Sequence, residues 1–187
     1  MNFSFTEDQL AIRDAARDFA ENEIAPSAVE RDITGEFPYD IVKKIGELGF
    51  MGMMVDPEWG GSGLDTVSYA LALEEVAKID ASVAVIMSVN NSLVCWGLEE
   101  YGTEEQKERF LRPLATGQKL GAYCLSEPGV GSDATQQATT AVRDGNDWIL
   151  NGAKNWITNG TTSDYYIVYA QSDPTKGYKG ITAFIVD

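Results

Sequence analysis

Up to Gly117 the apolar residues of this chain recur at helical spacing between recognisable caps, whereas beyond Leu120 they fall into short β-branched and aromatic runs separated by turn residues. A spacing of 3.6 residues buries a helix stripe and a spacing of 2 buries a sheet face, so the two halves need different packing partners. The chain therefore reads as an α+β, multidomain protein: an N-terminal all-α helical domain over 1–119, followed by the start of an antiparallel β-barrel-like domain over 120–187. Its 187 residues, 44% of them apolar, suffice for a packed core.

Caps define the helical half. Thr6-Glu7-Asp8-Gln9 is a capping box, and Leu10, Ala16, Phe19, Ala20 and Ile24 follow at helical spacing to an expected end before Pro26. A second helix is expected from Pro38 through Ile41, Ile45 and Leu48 to Gly49, which can take the left-handed conformation. The glycine-rich run Pro57 to Gly63 follows no strand and carries no lysine, so it reads as a tight connection and not a phosphate loop. Asp65 is an N-cap for a helix reaching Lys78, and the almost wholly apolar Ala81 to Trp96 reads as a central buried helix. Asn90, Asn91 and Ser92 interrupt that run and must either bond to neighbouring helices or face a ligand. Thr103-Glu104-Glu105-Gln106 opens a last helix, which Pro113 should bend or end.

Strands are expected at Leu120–Leu125, Thr139–Arg143, Trp148–Leu150, Lys154–Thr158, Tyr165–Ala170 and Ile181–Val186. Between them lie the turn pairs Asp144-Gly145, Asn151-Gly152, Asn159-Gly160 and Lys176-Gly177.

Composition narrows the chemistry. A net charge of −15, with 14 basic against 29 acidic residues, argues against a nucleic-acid partner. The absence of histidine removes Ser-His-Asp hydrolysis and histidine-based zinc chemistry within this chain, and no metal site is expected. Cys95 and Cys124 lie in apolar surroundings without metal or redox spacing and read as buried free thiols. No apolar run reaches the roughly 18 residues of a membrane span, and the start MNFSFTEDQL lacks the build of a secretory signal or a transit peptide. The expectation is a soluble, cytoplasmic protein, or one of the mitochondrial matrix in a eukaryote.

The segment from Tyr123 to Gly160 carries the chemistry. In Pro128-Gly129-Val130-Gly131-Ser132-Asp133 two glycines allow backbone N–H groups to approach an anion or carbonyl, with a hydroxyl to complete the cradle. Glycine turns between strands are also common for purely structural reasons. If Lys154–Thr158 is a strand, Trp156 and Thr158 share one face and Ile157 the other, which suits a planar heteroaromatic ring: the indole stacks and the hydroxyl bonds. Tyr123, Leu125 and Ser126 could frame the opposite edge.

The pair YCLSEPGVGSD and NGAKNWITNG resembles the two signature segments of the acyl-CoA dehydrogenase family. The N-terminal helical pattern, Val55-Asp56-Pro57-Glu58-Trp59-Gly60-Gly61 and Tyr101-Gly102-Thr103-Glu104-Glu105-Gln106-Lys107 resemble it in order and spacing too. The resemblance implies FAD as cofactor, held by Tyr123, Cys124, Leu125, Ser126, Gly131 and Ser132 of the first segment and by Trp156, Ile157 and Thr158 of the second. Ser132 would also touch the CoA part of the substrate, and Thr158 would bond near the flavin N5. The implied reaction is α,β-dehydrogenation of an acyl-CoA thioester of short or medium chain to a trans-2-enoyl-CoA, as in fatty acid β-oxidation, with an electron-transfer flavoprotein as acceptor and a homotetramer or dimer as assembly.

In the family the catalytic base is a glutamate of a C-terminal helical bundle that these 187 residues do not contain. No catalytic residue is therefore expected here, and the chain reads as a piece of a longer polypeptide. Glu99, Glu100 and Glu127 read as helix-surface or loop carboxylates. Asn91, Ser92 and Val94 are candidates for the wall of an acyl pocket. Two alternatives remain: an acyl-CoA oxidase-like flavoenzyme, and a non-catalytic flavin- or acyl-CoA-binding or assembly module.

Overall fold

Thr6 begins the first helix as its capping box requires: its Oγ1 accepts the Gln9 N–H at 3.2 Å, and the Gln9 side chain accepts the Thr6 N–H at 3.0 Å. Helix α1 (Glu7–Phe19) passes into a π turn at Ala20–Ile24 and continues as α2 (Ala25–Thr34). Pro26 thus does not end the helix. The π turn already takes the backbone out of the ordinary i to i−4 ladder, Ala25 N–H bonding Ala20 O, so the donor that proline lacks is lost where the ladder is interrupted. In this computed structural model residues 4–187 are described, and the first three residues of MNFSFTEDQL lie outside them.

The described chain forms two units, one ending at Lys119 and one spanning Leu120–Asp187. In the first, α3 (Tyr39–Glu47) starts with Pro38 as its N-cap and buries Ile41, Val42, Ile45 and Gly46, while Leu48 is left exposed. Asp65 caps α4 (Thr66–Ile79) by accepting the N–H groups of Val67 and Ser68 at 2.8 and 3.1 Å, and Asp80 caps α5 (Ala81–Ser88) in the same way.

From α5 the chain runs through a π turn at Val89–Cys95 into α6 (Trp96–Tyr101), making one helix from Ala81 to Tyr101. The helix is longer than the apolar run in the sequence, and among the described residues it is long and apolar enough to cross a bilayer. Half of its most apolar window is buried within the protein, with Val83, Met87 and Val94 fully enclosed, as expected of a core helix.

Its two asparagines face inward and bond to protein. Asn90 donates to the carbonyls of Met51 and Leu114 at 2.9 and 3.2 Å, and Asn91 donates to those of Phe50 and Met87 at 2.8 and 2.9 Å. Asn91 Oδ1 also accepts the Met53 N–H at 2.7 Å. Phe50–Met53 is buried without regular structure, so these amides supply partners that no backbone ladder provides.

The last helix opens with the Thr103 capping box at α7 (Glu104–Gln106), widens into a π turn at Lys107–Leu111 and ends as α8 (Arg112–Ala115). Pro113 follows a π turn just as Pro26 does, and the helix passes it by two residues.

The second unit is a five-stranded sheet: β1 (Gly121–Cys124), β2 (Thr140–Asp144), β3 (Asp147–Asn151), β4 (Tyr165–Gln171) and β5 (Ile181–Val186). The β2–β3 and β4–β5 hairpins are antiparallel, but β1 pairs with β4 in parallel, from Gly121↔Tyr165 to Cys124↔Val168, and β2 meets β4 in parallel at Thr140↔Gln171. The sheet is therefore mixed, not purely antiparallel. The parallel pairs arise because β1 is followed by a long loop instead of a tight hairpin, leaving β4 free to return alongside it.

Candidate functional site

Beyond β1 the chain passes Leu125 and Ser126 and turns tightly, Glu127 and Val130 exchanging backbone hydrogen bonds of 2.9 and 3.0 Å. At Gly129 and Gly131 an added Cβ would meet nothing within 4 Å. Neither glycine is required by the packing of this chain, and the open space is what a ligand approaching the backbone would need. Gly131 and Ser132 are exposed, and Ser126 is half-buried.

Lys154–Thr158 is not a strand, which corrects the alternation argument. Asn155 N–H donates to Ser126 O at 2.9 Å, Trp156 takes a left-handed φ of 58°, and Asn159, at φ 64°, begins the following turn while its Nδ2 donates to Gly121 O at 3.1 Å. A left-handed residue breaks the pleat, so the shared face of Trp156 and Thr158 does not follow from their spacing. Instead Trp156 stands 91% exposed, while Ile157 and Thr158 are half-buried. A bulky residue at positive φ is an outlier that the surrounding structure must hold in place.

The two signature segments nevertheless meet. Lys154 Nζ donates to Leu125 O at 3.1 Å, Glu127 Oε1 at 2.8 Å and Gln137 Oε1 at 2.8 Å. Glu127 in turn accepts the N–H groups of Ala138 and Thr139 at 2.7 and 3.0 Å. Glu127 is thus a buried, fully engaged carboxylate and not a loop-surface one, and Lys154, Gln137 and Tyr169 are participants that the sequence reading omitted. Tyr123 donates its hydroxyl to that of Tyr169 at 3.1 Å, with ring centroids 5.2 Å apart. Cys124 is buried, and burial pushes its thiol up despite the nearby Lys154 charge.

Two buried glutamates titrate far below the usual value of 4.5, each at about 2. For Glu75 the main cause is the hydrogen bond from Arg17, reinforced by Lys78. For Glu127 burial pushes the carboxyl up, but Lys154 and the Ala138 and Thr139 amides outweigh it. A pKa lowered on folding adds stability above the unfolded value that is lost as pH falls toward the folded one. Unfolding free energy is therefore expected to be nearly flat near neutrality and to drop between pH 4.5 and about 2. Glu127→Gln should shrink that drop by less than ~3 kcal/mol after solvent screening, as checked by urea unfolding across this range; an unchanged slope contradicts the assignment.

In the helical unit a cleft of about 350 Å³ is lined by Met54, Val55, Leu64, Asp65, Thr66, Asn91, Trp96 and Glu99. Of the three candidate acyl-pocket residues only Asn91 reaches it. Val94 is fully buried, and the Ser92 hydroxyl donates to Ser88 O at 2.8 Å. Glu99, expected on the helix surface, accepts the Asp56 N–H at 2.8 Å.

Comparison with known proteins places these features in a family. Residues 6–118 match the model of the acyl-CoA dehydrogenase N-terminal domain, and residues 122–187 that of the acyl-CoA dehydrogenase middle domain. The short-chain specific acyl-CoA dehydrogenase of Clostridium acetobutylicum is 46% identical over 187 residues, covering 100% of this chain and 49% of that protein. Among solved structures, a chain in the Acidaminococcus fermentans structure reported for its electron transferring flavoprotein superposes with a TM-score of 0.97 at 45% identity, covering 100% of this chain and 49% of that one. The glutaryl-CoA dehydrogenase of Mycobacterium smegmatis in complex with FADH2 gives a TM-score of 0.91 at 37% identity, over 97% of this chain and 46% of that one. The chain spans about half the length of the curated relatives it matches. The helical unit, the mixed sheet that follows it and both signature segments make this chain a member of the acyl-CoA dehydrogenase family.

Proposed function

We propose that this chain supplies the flavin-holding half of a FAD-dependent acyl-CoA dehydrogenase that acts on short acyl thioesters. The observation that carries the reading is Trp156, an indole held at left-handed φ and 91% exposed, whose neighbour Asn155 bonds to Ser126 O at 2.9 Å just before the turn that holds Gly129 and Gly131. Backbone strain opposes folding and an indole left in water gains nothing from burial, whereas a planar ligand stacked on it would supply that gain.

The residues present suit FAD. Backbone groups of Tyr123 to Ser126, with Gly131 and Ser132, would line one side, and Trp156, Ile157 and Thr158 the other, the Thr158 hydroxyl serving the flavin N5 region and Ser132 also the CoA moiety. Cys124, being buried, would contribute through its backbone alone. When bound, FAD accepts the hydride that leaves the substrate β carbon. The α proton needs a carboxylate base, and none of the residues at this site takes that role: Glu127 is committed to Lys154 and two amides. We assign the base to chain beyond these residues. The likeness to the Clostridium acetobutylicum protein supports a short acyl chain, and the likeness to the Acidaminococcus fermentans structure supports an electron-transfer flavoprotein as redox partner. A homo-oligomer is proposed on family grounds.

Titration of the purified protein with FAD, followed by tryptophan fluorescence and visible absorbance, tests the reading. Saturable quenching with a perturbed flavin band is expected, and Trp156→Ala should weaken binding about 10-fold or more. Equal affinity of the variant and the native protein would remove Trp156 from the site.

A further inference from the structure

We propose that Lys154 and Glu127 are positioning residues for the cofactor face: their buried pair ties both ends of the glycine loop to the turn that carries Trp156. The inference deepens the proposed function and rests on that reading of the site.

The geometry assigns the role to these two side chains. An ammonium has three donors, and the three bonds of Lys154 reach three separate stretches: Leu125 at the end of β1, Glu127 at the start of the glycine turn, and Gln137 just before β2. Glu127 returns to the far end of the same loop through the Ala138 and Thr139 amides. Residues 127–139 thus form a loop whose two ends are joined through one carboxylate. Its outer part stays open to solvent, Gly131, Ser132 and Asp133 all being exposed.

Lys154 is also two residues from Trp156, and the intervening Asn155 bonds to Ser126 O at 2.9 Å. The ammonium's three bonds and the Asn155 bond thus join the loop ends and the segment leading to the indole in one network. The side chains of Lys154 and Glu127 are only 10% and 4% exposed. Burying a charge pair at this depth is a weak source of net stability, and its better-attested use is to hold one arrangement among several. Here the arrangement it selects is the joining of the loop ends to the segment that leads into the left-handed Trp156.

Arginine cannot substitute, because a planar guanidinium does not send three donors along the directions of an ammonium. The test compares FAD affinity and flavin midpoint potential in the native-length protein, Lys154→Met, Lys154→Arg and Gln137→Leu. Gly180→Ala serves as a control destabilised elsewhere in the same unit, since its Cβ would lie 2.0 Å from Asp173 O. The apo melting temperature is recorded for each.

Lys154→Met and Lys154→Arg are expected to weaken FAD at least 30-fold and to shift the potential of whatever flavin remains bound. Gly180→Ala should melt earlier yet bind FAD within 3-fold of the native protein. Should Lys154→Met fail to fold, Gln137→Leu, which removes a single acceptor, should weaken FAD 3- to 10-fold with a small change in melting temperature. The proposal is overturned if the Lys154 variants that fold, or Gln137→Leu, keep native affinity and potential. It is equally overturned if Gly180→Ala loses FAD in proportion to its stability, because the effect is then one of folding. If the native protein itself binds no FAD, the reading of the site fails first, and that result is distinct from a selective loss in the variants.

Discussion

Asn91→Leu is expected to destabilise the helical unit by about 4 kcal/mol, a fall in melting temperature on the order of 15 °C. Leucine nearly fills the volume but leaves the Met53 N–H and the Phe50 and Met87 carbonyls without the partner they have at 2.7 to 2.9 Å. A buried backbone group stripped of its bond costs ~1–3 kcal/mol, and the Met53 donor belongs to a fully buried residue. Ser92→Ala provides the comparison, since its hydroxyl only adds a bond to Ser88 O on its own helix. It should stay within ~1 kcal/mol of the native protein. Chemical denaturation of both variants decides the matter, and an Asn91→Leu protein as stable as Ser92→Ala would show that the 50–53 segment is held by something else.

The second large effect comes from a backbone-to-backbone contact. Gly117 has φ 72°, and a Cβ there would lie 2.5 Å from Gly46 Cα in α3. Gly117→Ala thus combines the cost of a left-handed alanine, ~1 kcal/mol, with the displacement of a packed helix, and about 3 kcal/mol or more in total is expected. Gly35 separates the two contributions: it has nearly the same φ, 71°, but a Cβ there meets nothing within 4 Å. Gly35→Ala should therefore cost only the conformational part. Equal losses at the two positions in thermal melts would rule out the contact as the cause.

Local signals in the sequence transferred well to the structure. The caps at Thr6, Asp65 and Thr103 depend on residues within three positions of each other, and all three form. The end expected before Pro26 does not occur because the π turn upstream, at Ala20–Ile24, has no strong residue signature and absorbs the missing donor, whereas the helix that carries Pro113 closes two residues beyond it. Asn90 and Asn91 announced that something needed a polar partner, but not that the partner was the irregular 50–53 segment some 40 residues earlier.

At the site, Lys154 to Thr158 looked like a strand because Trp, Ile and Thr favour one. The left-handed Trp156 was invisible, as non-glycine residues at positive φ are held there by tertiary contacts and not by their own preference. For the same reason Glu127 passed for a loop carboxylate: its partner Lys154 lies 27 residues away, and neither residue alone indicates burial.

The central place of β4 has a consequence for how the sheet unit is made. One edge of β4 takes β5, and the other takes β1 and, at its end, β2. During synthesis β1 emerges first and has no partner until Tyr165–Val168 has left the ribosome. The preceding helices, whose unit is complete by Lys119, can collapse before then. The loop and turn around Lys154 hence stay unanchored on the β4 side until nearly the last of these residues is translated. The ends of the glycine loop thus take their final places only when a strand some 40 residues downstream of β1 pairs with it, whatever has folded before then.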